Sequence, residues 1–228
     1  RVWDHTINIL AGVFGFESEQ ICSDIDLAAV AQSQRKLPDF DVDAAYEQQV
    51  KPLYSAIITF LSRAGFSWQD EQSGDIHWLR EANQNMIDAI KASKHLRKNL
   101  VAAAASTDEE QRAMYNNMRV QLSLLIRELE EVRLASVDES PVLSLDHLHL
   151  ILHDHCDTFN ARMATAMTEG RMSGELAVSL LNDSNYGQEI FSKLVEMGET
   201  LFVRHSRSLS DAEREVLLSE DELLELET

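Results

Sequence analysis

Long apolar runs are missing from this sequence of 228 residues. The longest purely apolar run covers the six residues from Leu100 to Ala105, whereas a membrane-spanning helix needs about 20. Cysteine is nearly absent too, because Cys22 and Cys156 are the only two and lie far apart without a paired spacing. These absences argue against a membrane span in this stretch, a disulfide framework and a zinc knuckle, and they favour a reducing compartment.

Proline, glycine and basic residues are also scarce. The chain has 3 Pro and 8 Gly, and runs that alternate β-branched or aromatic residues with polar ones stay short, which disfavours a β-sheet. Twenty Lys+Arg stand against 39 Asp+Glu, which gives a net charge of −19. Because nucleic acids and anionic lipid surfaces attract net positive charge, the composition opposes both classes of partner, and we expect no nucleic-acid binding.

The sequence contains 44% hydrophobic residues, which is typical of a globular protein, and these residues recur with helical periodicity. Apolar or small residues recur at spacings of three and four in the segments 75–105, 107–136, 144–170 and 173–205. Such spacing keeps one stripe of each helix against its neighbours, and short turns between the segments make sequential helices antiparallel. The sequence therefore predicts an all-α fold, an antiparallel up-and-down helical bundle.

We divide the chain into three parts on this basis. Residues 71–206 hold the long-helix bundle, residues 1–70 hold N-terminal helices that pack on it, and residues 207–228 form an acidic C-terminal tail helix. The N-terminal helices are expected at 3–14, 24–37 and 41–64, and Pro52 should kink the last of these or mark its true start. From Asp211 onward the tail carries eight acids against the single base Arg214, which is typical of either a solvated helix or a partner-binding segment.

One helix start and two core positions can also be assigned. Thr107 is followed three residues later by Glu110, the spacing of a capping box, so we expect Thr107 to cap the second long helix. Leu125 and Phe191 lie on the apolar stripes of the second and fourth segments, and we expect both in the core.

The third long segment contains the densest cluster of chemically active side chains. Asp146, His149, His153 and Asp157 follow one another at separations of three, four and four residues, so they form one polar stripe of a helix. Imidazole and carboxylate groups suit divalent transition metals, which makes a divalent metal the candidate cofactor. One stripe cannot surround an ion, so a neighbouring helix would have to add ligands. The alternative is a solvated face rich in titratable groups.

The adjacent pair His153 and Asp154 also invites comparison with HD-type phosphohydrolases. Those enzymes need further metal ligands on separate helices, and the strongest candidates here, His77, His95 and Asp183, follow no recognisable spacing. The sequence offers no Gly-rich phosphate cradle, Gly-x-Ser-x-Gly elbow or Cys–His nucleophile pair. We therefore expect no catalytic activity and keep the hydrolase as an alternative.

A basic strip lies on the first long segment and consists of Lys91, Lys94, Arg97 and Lys98. Its spacing places these cations on adjacent turns of a helix, where they could receive phosphate, a lipid head group or an acidic loop of another chain. The alternative is a solvated face that pairs with acids of the next helix, such as Glu128, Glu130 and Glu131.

Several stretches of the chain resemble one family. They are Leu79-Arg-Glu-Ala-Asn83, Asp88-Ala-Ile-Lys91, His95-Leu-Arg-Lys-Asn-Leu100, Tyr115-Asn-Asn-Met-Arg119, Leu181-Asn-Asp-Ser-Asn-Tyr186, Glu196-Met-Gly198 and Asp211-Ala-Glu-Arg214. In this order they resemble the PhoU-like cytoplasmic domain of sodium/phosphate cotransporter family proteins. The resemblance covers nearly the whole chain, and it consists of helix-packing patterns.

The resemblance implies a regulatory role. It implies a PhoU-like bundle on the cytoplasmic side of the inner membrane, attached to a transmembrane transporter portion that precedes it in the same chain. A start at Arg1 instead of Met agrees with that expectation. The bundle would modulate phosphate transport without catalysis, and inorganic phosphate would be an indirect partner. A free-standing PhoU-like adaptor that binds a transporter or a sensor kinase is the alternative, and the domain could form a homodimer through an exposed helix face.

The resemblance to PhoU proteins also implies candidate metal ligands in this chain. Some of them bind metal clusters through repeated acid-x-x-x-Asp motifs. In this chain, His153 and Asp157 have that spacing with a histidine in the first place, while His95 and Asn99 stand where acids are expected. The resemblance therefore leaves His149, His153 and Asp157 as the candidate ligands.

Overall fold

A computed structural model describes residues 1–64, 73–134 and 141–203 of the chain. Its helices are α1 (Val2–Phe14), α2 (Ser18–Ile21), α3 (Leu27–Ser33), α4 (Val42–Ala45), α5 (Lys51–Ala64), α6 (Ser73–Ala105), α7 (Glu109–Leu134), α8 (Pro141–Thr168) and α9 (Gly174–Gly198). Two π-helical turns, Tyr46–Val50 and Glu199–Val203, continue α4 and α9. The described residues contain no strand, so the predicted all-α helical bundle is confirmed.

The four long helices pack through the predicted apolar stripes. On α6, Ala82, Met86 and Leu96 are buried, and on α7 and α9 the predicted core residues Leu125 and Phe191 are 3% and 6% exposed. The spacing also places Leu79 and Met167 on these stripes, but Leu79 near the start of α6 and Met167 near the end of α8 are each 45% exposed. Helical periodicity thus predicted which face is buried, but not how far along each helix burial extends.

Helices α6, α7 and α9 form the centre of the bundle. Helix α9 returns antiparallel to α6, with the His95 ring stacked on Tyr186 and Asn99 bonded to Asp183. Helix α8 packs against α7 and α9, and the N-terminal helices pack against α6 and α7. Small residues such as Ala89 on α6 are fully buried, which lets neighbouring helices approach closely.

Three arginines of the bundle hold the N-terminal helices through backbone carbonyls. The acceptors are Gly12, Val13 and Pro38 for Arg97, Phe14 and Ala31 for Arg119, and Gln20, Ile21 and Ile25 for Arg127. The last carbonyls of a helix have no partner within that helix, and most of these acceptors lie at the ends of α1, α2 and α3. The arginines therefore add hydrogen bonds to carbonyls at these helix ends, and their charge complements the negative ends of the helices.

The start of α7 differs from the prediction. The Asp108 carboxylate accepts hydrogen bonds from the backbone N–H groups of Glu110 (2.9 Å) and Gln111 (3.1 Å), so Asp108 is the cap and Thr107, which is exposed, is not. A carboxylate one residue closer to the helix can reach two N–H groups and also carries the charge that a helix start favours.

One N-terminal helix is shorter than predicted, whereas α1 (Val2–Phe14) agrees with the expected segment 3–14. Helix α3 covers only part of the expected 24–37 segment, and α2 was missed because four residues are too few to show a period. Before Pro52, the π-turn bonds the Lys51 N–H to the Tyr46 carbonyl. Proline has no N–H for the α-helical ladder, and a π-turn here changes the register without ending the helix. The apolar residues of the segment 41–64 predict that Phe60 lies on the packed side of its helix, but Phe60 is 62% exposed.

Within the described ranges, none of the helices is both long and apolar enough to cross a bilayer.

Candidate functional site

A polar cleft between α6 and α9 is the candidate site in which buried and exposed polar side chains from several helices meet. Its centre is Asp183, which is only 3% exposed. The Asp183 Oδ2 atom accepts a hydrogen bond from the Tyr115 hydroxyl of α7 (2.6 Å) and another from Asn99 Nδ2 of α6 (2.8 Å). One carboxylate oxygen therefore joins three helices.

The environment of Tyr115 keeps its hydroxyl protonated. Burial is the largest cause that raises the pKa of Tyr115, and the hydrogen bond to Asp183 raises it further. The Tyr115 Oη atom also lies 3.3 Å from the Ser179 hydroxyl. Because Tyr115 stays neutral, it serves as a hydrogen-bond donor to Asp183 and is unsuited to act as a base near neutral pH.

The outer part of the cleft is formed by aromatic and amide side chains. The His95 ring stacks on Tyr186 with 4.6 Å between the ring centroids and 13° between their planes. Asn182, Asn185 and Glu189 complete a cavity of about 620 Å³, with His95 exposed at its mouth. The cavity therefore offers amide, carboxylate, imidazole and phenol groups to a ligand.

This donor set limits what the cleft can hold. No lysine or arginine belongs to the described lining of the cleft, whereas Asp183 and Glu189 both do. An inorganic phosphate would meet two carboxylates and no lysine or arginine of the described lining, so direct phosphate binding is disfavoured. In the part of the chain that the structure describes, no group of three or more His, Cys, Asp or Glu side chains is placed to hold one metal ion.

The structure brings together residues that sequence spacing left apart. His95 and Asp183, two of the three further ligands considered for a hydrolase, line the same cleft. His77 lies 18 residues before His95 on α6, which is about 27 Å along a helix, and its Nδ1 atom is 3.9 Å from Glu81. A sequence signal for the cleft existed in the polar pairs His95/Asn99 and Ser179/Asp183, each four residues apart. The contribution of Tyr115 from a third helix had no such signal.

The candidate metal ligands lie on α8. Asp157 is exposed, and the side chains of His149 and His153 lie outside the described residues. The backbone of α8 is continuous through all three positions, so the expected spacing on one helix holds. The metal site itself stays a prediction.

Three of the four cations of the basic strip contact groups of the chain itself. Lys94 Nζ lies 2.6 Å from an Asp43 carboxylate oxygen, Lys91 Nζ lies 3.2 Å from Asp88, and Arg97 donates to backbone carbonyls. Burial lowers the pKa of Arg97, but an arginine remains charged at neutral pH. Lys98 is exposed.

The partners of the strip are not the acids expected from the next helix. Glu130 instead accepts hydrogen bonds from Trp3 (2.8 Å) and Arg133 (2.6 and 2.7 Å). Three carboxylates, those of Asp39, Asp41 and Asp43, line the same groove as the cations. An anion would have to compete with these carboxylates, and anion binding at the strip stays a prediction.

No protein-family model, curated protein sequence or solved structure matches this chain.

Proposed function

We propose that this chain is a non-catalytic regulatory domain that modulates a sodium-dependent phosphate transporter on the cytoplasmic side of the membrane. One observation supports the proposal above others. Three separate stretches that resemble the PhoU-like domain, 95–100, 115–119 and 181–186, contribute His95, Asn99, Tyr115, Asp183 and Tyr186 to one junction. A resemblance by chance would not be expected to select residues that meet in space.

The junction is suited to relay a change between helices. Asp183 on α9 is bonded to both α6 and α7, so a ligand or partner that displaces its carboxylate must alter the packing of three helices at once. Interior packing is too dense to absorb such a change locally. The cleft would act through helix contacts with the transmembrane portion, and phosphate would influence it indirectly, because its lining is acidic.

The experiment is a phosphate-uptake assay in cells that produce the complete transporter. Deleting the segment that corresponds to this chain, or replacing Asp183 by Ala, should raise uptake under phosphate-replete conditions by about fivefold, the lower end of typical coupling between sites. His95→Ala tests the cleft at an exposed position where misfolding is not expected. Val178→Ala, on α9 outside the cleft and 59% exposed, is the matched control and should leave uptake unchanged.

Unaltered uptake and unaltered regulation in both the deletion and the cleft variants would refute the proposal. The encoded sequence before Arg1 separates this proposal from a free-standing adaptor, since a transporter would contribute several apolar stretches of about 18 residues or more there.

The absence of catalysis is tested separately. Purified protein supplied with manganese or magnesium should not hydrolyse phosphomonoesters or phosphodiesters above the rate of buffer. Metal-dependent turnover that disappears in a His153→Ala variant would favour the hydrolase alternative.

A further inference from the structure

A second cavity lies between α7, α8 and α9 and is separate in its lining from the polar cleft. Its volume is about 230 Å³, larger than the engineered cavity of about 150 Å³ that binds benzene in another protein. Most of its wall is apolar and includes Leu122, Leu125, Leu148, Ile151, Phe159 and Phe191. The cavity opens to solvent beside Asn117 and Glu128, so its apolar wall is in contact with water, and covering apolar surface from water favours binding. The cavity is therefore suited to an apolar ligand.

The shape of the cavity favours a linear ligand. Its described wall runs from Asn117 to Glu128 on α7 and from Leu148 to Phe159 on α8, and 11 residue steps correspond to about 16 Å of helix. A cavity with a volume of about 230 Å³ and this length has a narrow cross-section. An extended alkyl chain matches this geometry better than a compact ring system does.

The polar groups of the cavity wall determine which head group an alkyl ligand can carry. Asn117, Gln121 and Glu128 on α7 and Gln188 on α9 are polar members of its lining, and no described lysine or arginine lines it. Asn117 and Glu128 are exposed, so they mark the side that faces solvent. An anionic head group would approach the Glu128 carboxylate of a chain with a net charge of −19, and no lysine or arginine of the described wall could pair with it.

A glycine helps to keep the cavity open. Gly187 on α9 is buried and lines the cavity. The nearest heavy atom that a Cβ at this position would meet is Leu122 Cδ1 at 3.9 Å, which is ordinary contact distance. Glycine inside a helix costs about 1 kcal/mol of stability relative to alanine, and at this position it leaves empty a space in which a side chain would fit.

We propose that the α7–α8–α9 cavity binds a medium-length alkyl chain whose head group is uncharged or cationic, and that it discriminates against fatty-acid anions. This inference does not depend on the proposed role in phosphate transport.

The test uses three probes with the same chain, namely octanol, octylamine and octanoate, titrated into the 228-residue protein by calorimetry. Octanol and octylamine should bind at one site per chain, and octanoate should bind at least about tenfold more weakly, equivalent to about 1.4 kcal/mol. Equal or tighter binding of octanoate would overturn the head-group assignment, and failure of all three probes to bind would overturn the site.

Two cysteines locate the bound probe. Cys156 lines the cavity, whereas Cys22 is exposed elsewhere on the chain and does not line it. Octanol should slow alkylation of Cys156 by N-ethylmaleimide about tenfold once free octanol is about ten times its Kd. Alkylation of Cys22 should not change. Peptide mass spectrometry reads both rates in one sample, and equal protection of both or of neither would contradict binding in this cavity.

A pair of variants separates filling of the cavity from helix propensity. Gly187→Leu should abolish octanol binding and raise Tm by about 2–4 °C because it fills the void. Gly187→Ala gains the same helix propensity with one methyl group and should still bind octanol. If Gly187→Leu does not fold, Ser184→Leu tests the same wall one turn earlier. Unchanged octanol binding in a folded leucine variant would place the probe elsewhere and refute the inference.

Discussion

At the scale of single residues, the burial of charge without an opposite charge is the most informative feature. Arg119 is 1% exposed, and its hydrogen-bond acceptors are neutral: the carbonyls of Phe14 and Ala31 and the side chains of Gln34 and Asn116. Its guanidinium also lies 4.9 Å from the centre of the Phe16 ring. Burial lowers the pKa of Arg119 to about 10, so it remains charged at neutral pH. The N-terminal helices thus depend on a buried cation.

Replacing Arg119 by Ala should lower the free energy of unfolding by about 3–5 kcal/mol. The change leaves two buried carbonyls without a donor, and each unsatisfied buried group costs about 1–3 kcal/mol. Urea denaturation measures the loss. Arg80→Ala removes an exposed arginine of α6 and should stay within about 0.5 kcal/mol of wild type. A similarly small effect at Arg119 would mean that its hydrogen bonds are replaceable by water.

Glu130 should make stability sensitive to acid. Its hydrogen bond with Arg133 is the largest cause that lowers its pKa, and Trp3 also contributes. A lowered pKa in the folded state stabilises the protein above the ordinary glutamate pKa of about 4.3, and this stabilisation is lost as pH falls through the folded value. Glu130→Gln should therefore be less stable than wild type at pH 7, and the two proteins should converge in acid. Parallel curves in urea denaturation across pH would contradict this assignment.

At the scale of helices, the residues at which a helix begins and ends were harder to predict than the face that is buried. The spacing of Thr107 and Glu110 has the form of a capping box, yet Asp108 accepts the N–H bonds that cap α7. Sequence spacing alone could not choose between adjacent residues, because the choice depends on the backbone angle at which the chain enters the helix. The turn after α6 sets that angle.

The two cap candidates can be compared directly. Asp108→Ala should cost about 1 kcal/mol of unfolding free energy because two N–H groups lose their acceptor. Thr107→Ala, one residue earlier and exposed, should change stability by less than about 0.5 kcal/mol. Thermal denaturation of both variants decides the matter, and a larger loss at Thr107 would restore it as the cap.

The faces of the long helices give a packing prediction. Leu125→Ala on α7 or Phe191→Ala on α9 should each cost about 2–5 kcal/mol, because both delete buried apolar groups. Val178→Ala on the exposed side of α9 is the control and should have little effect. Both side chains also line the apolar cavity, so octanol should bind the folded variants with altered affinity. Unchanged melting temperatures for Leu125→Ala and Phe191→Ala would overturn the packing assignment.

At the scale of the whole molecule, the net charge of −19 opposes the compact state. Cations that could offset it at the surface are partly used inside: Arg97, Arg119 and Arg127 all donate to backbone carbonyls. The remaining acids are therefore less compensated at the surface than the composition alone suggests, and mutual repulsion should limit stability.

Salt should accordingly stabilise the protein. Raising NaCl from about 0.01 M to about 0.1 M shortens the screening length from about 30 Å to about 10 Å, and we expect Tm to rise as surface repulsion weakens. Calorimetry at fixed pH measures the change. A fall in Tm would show that exposed ion pairs such as Lys94–Asp43 contribute more than the net repulsion.

Local sequence patterns were enough to predict the helical class and the buried faces of the long helices. Periodicity of three and four is a local property, so Leu125 and Phe191 could be assigned to the core without knowing their neighbours. For the same reason, spacing alone could assign His149, His153 and Asp157 to one helix and the basic strip from Lys91 to Lys98 to another. Neither spacing could show whether a second helix supplies partners.

Which polar groups meet depends on how the helices pack in three dimensions. Asn99 and Asp183 are 84 residues apart and bond because α6 and α9 pair antiparallel, and Tyr115 joins them from α7. Such contacts depend on the rotation and register of each helix, which are fixed by packing summed over many residues. The cavity between α7, α8 and α9 has the same origin, because a void is defined by what three helices leave unfilled between them.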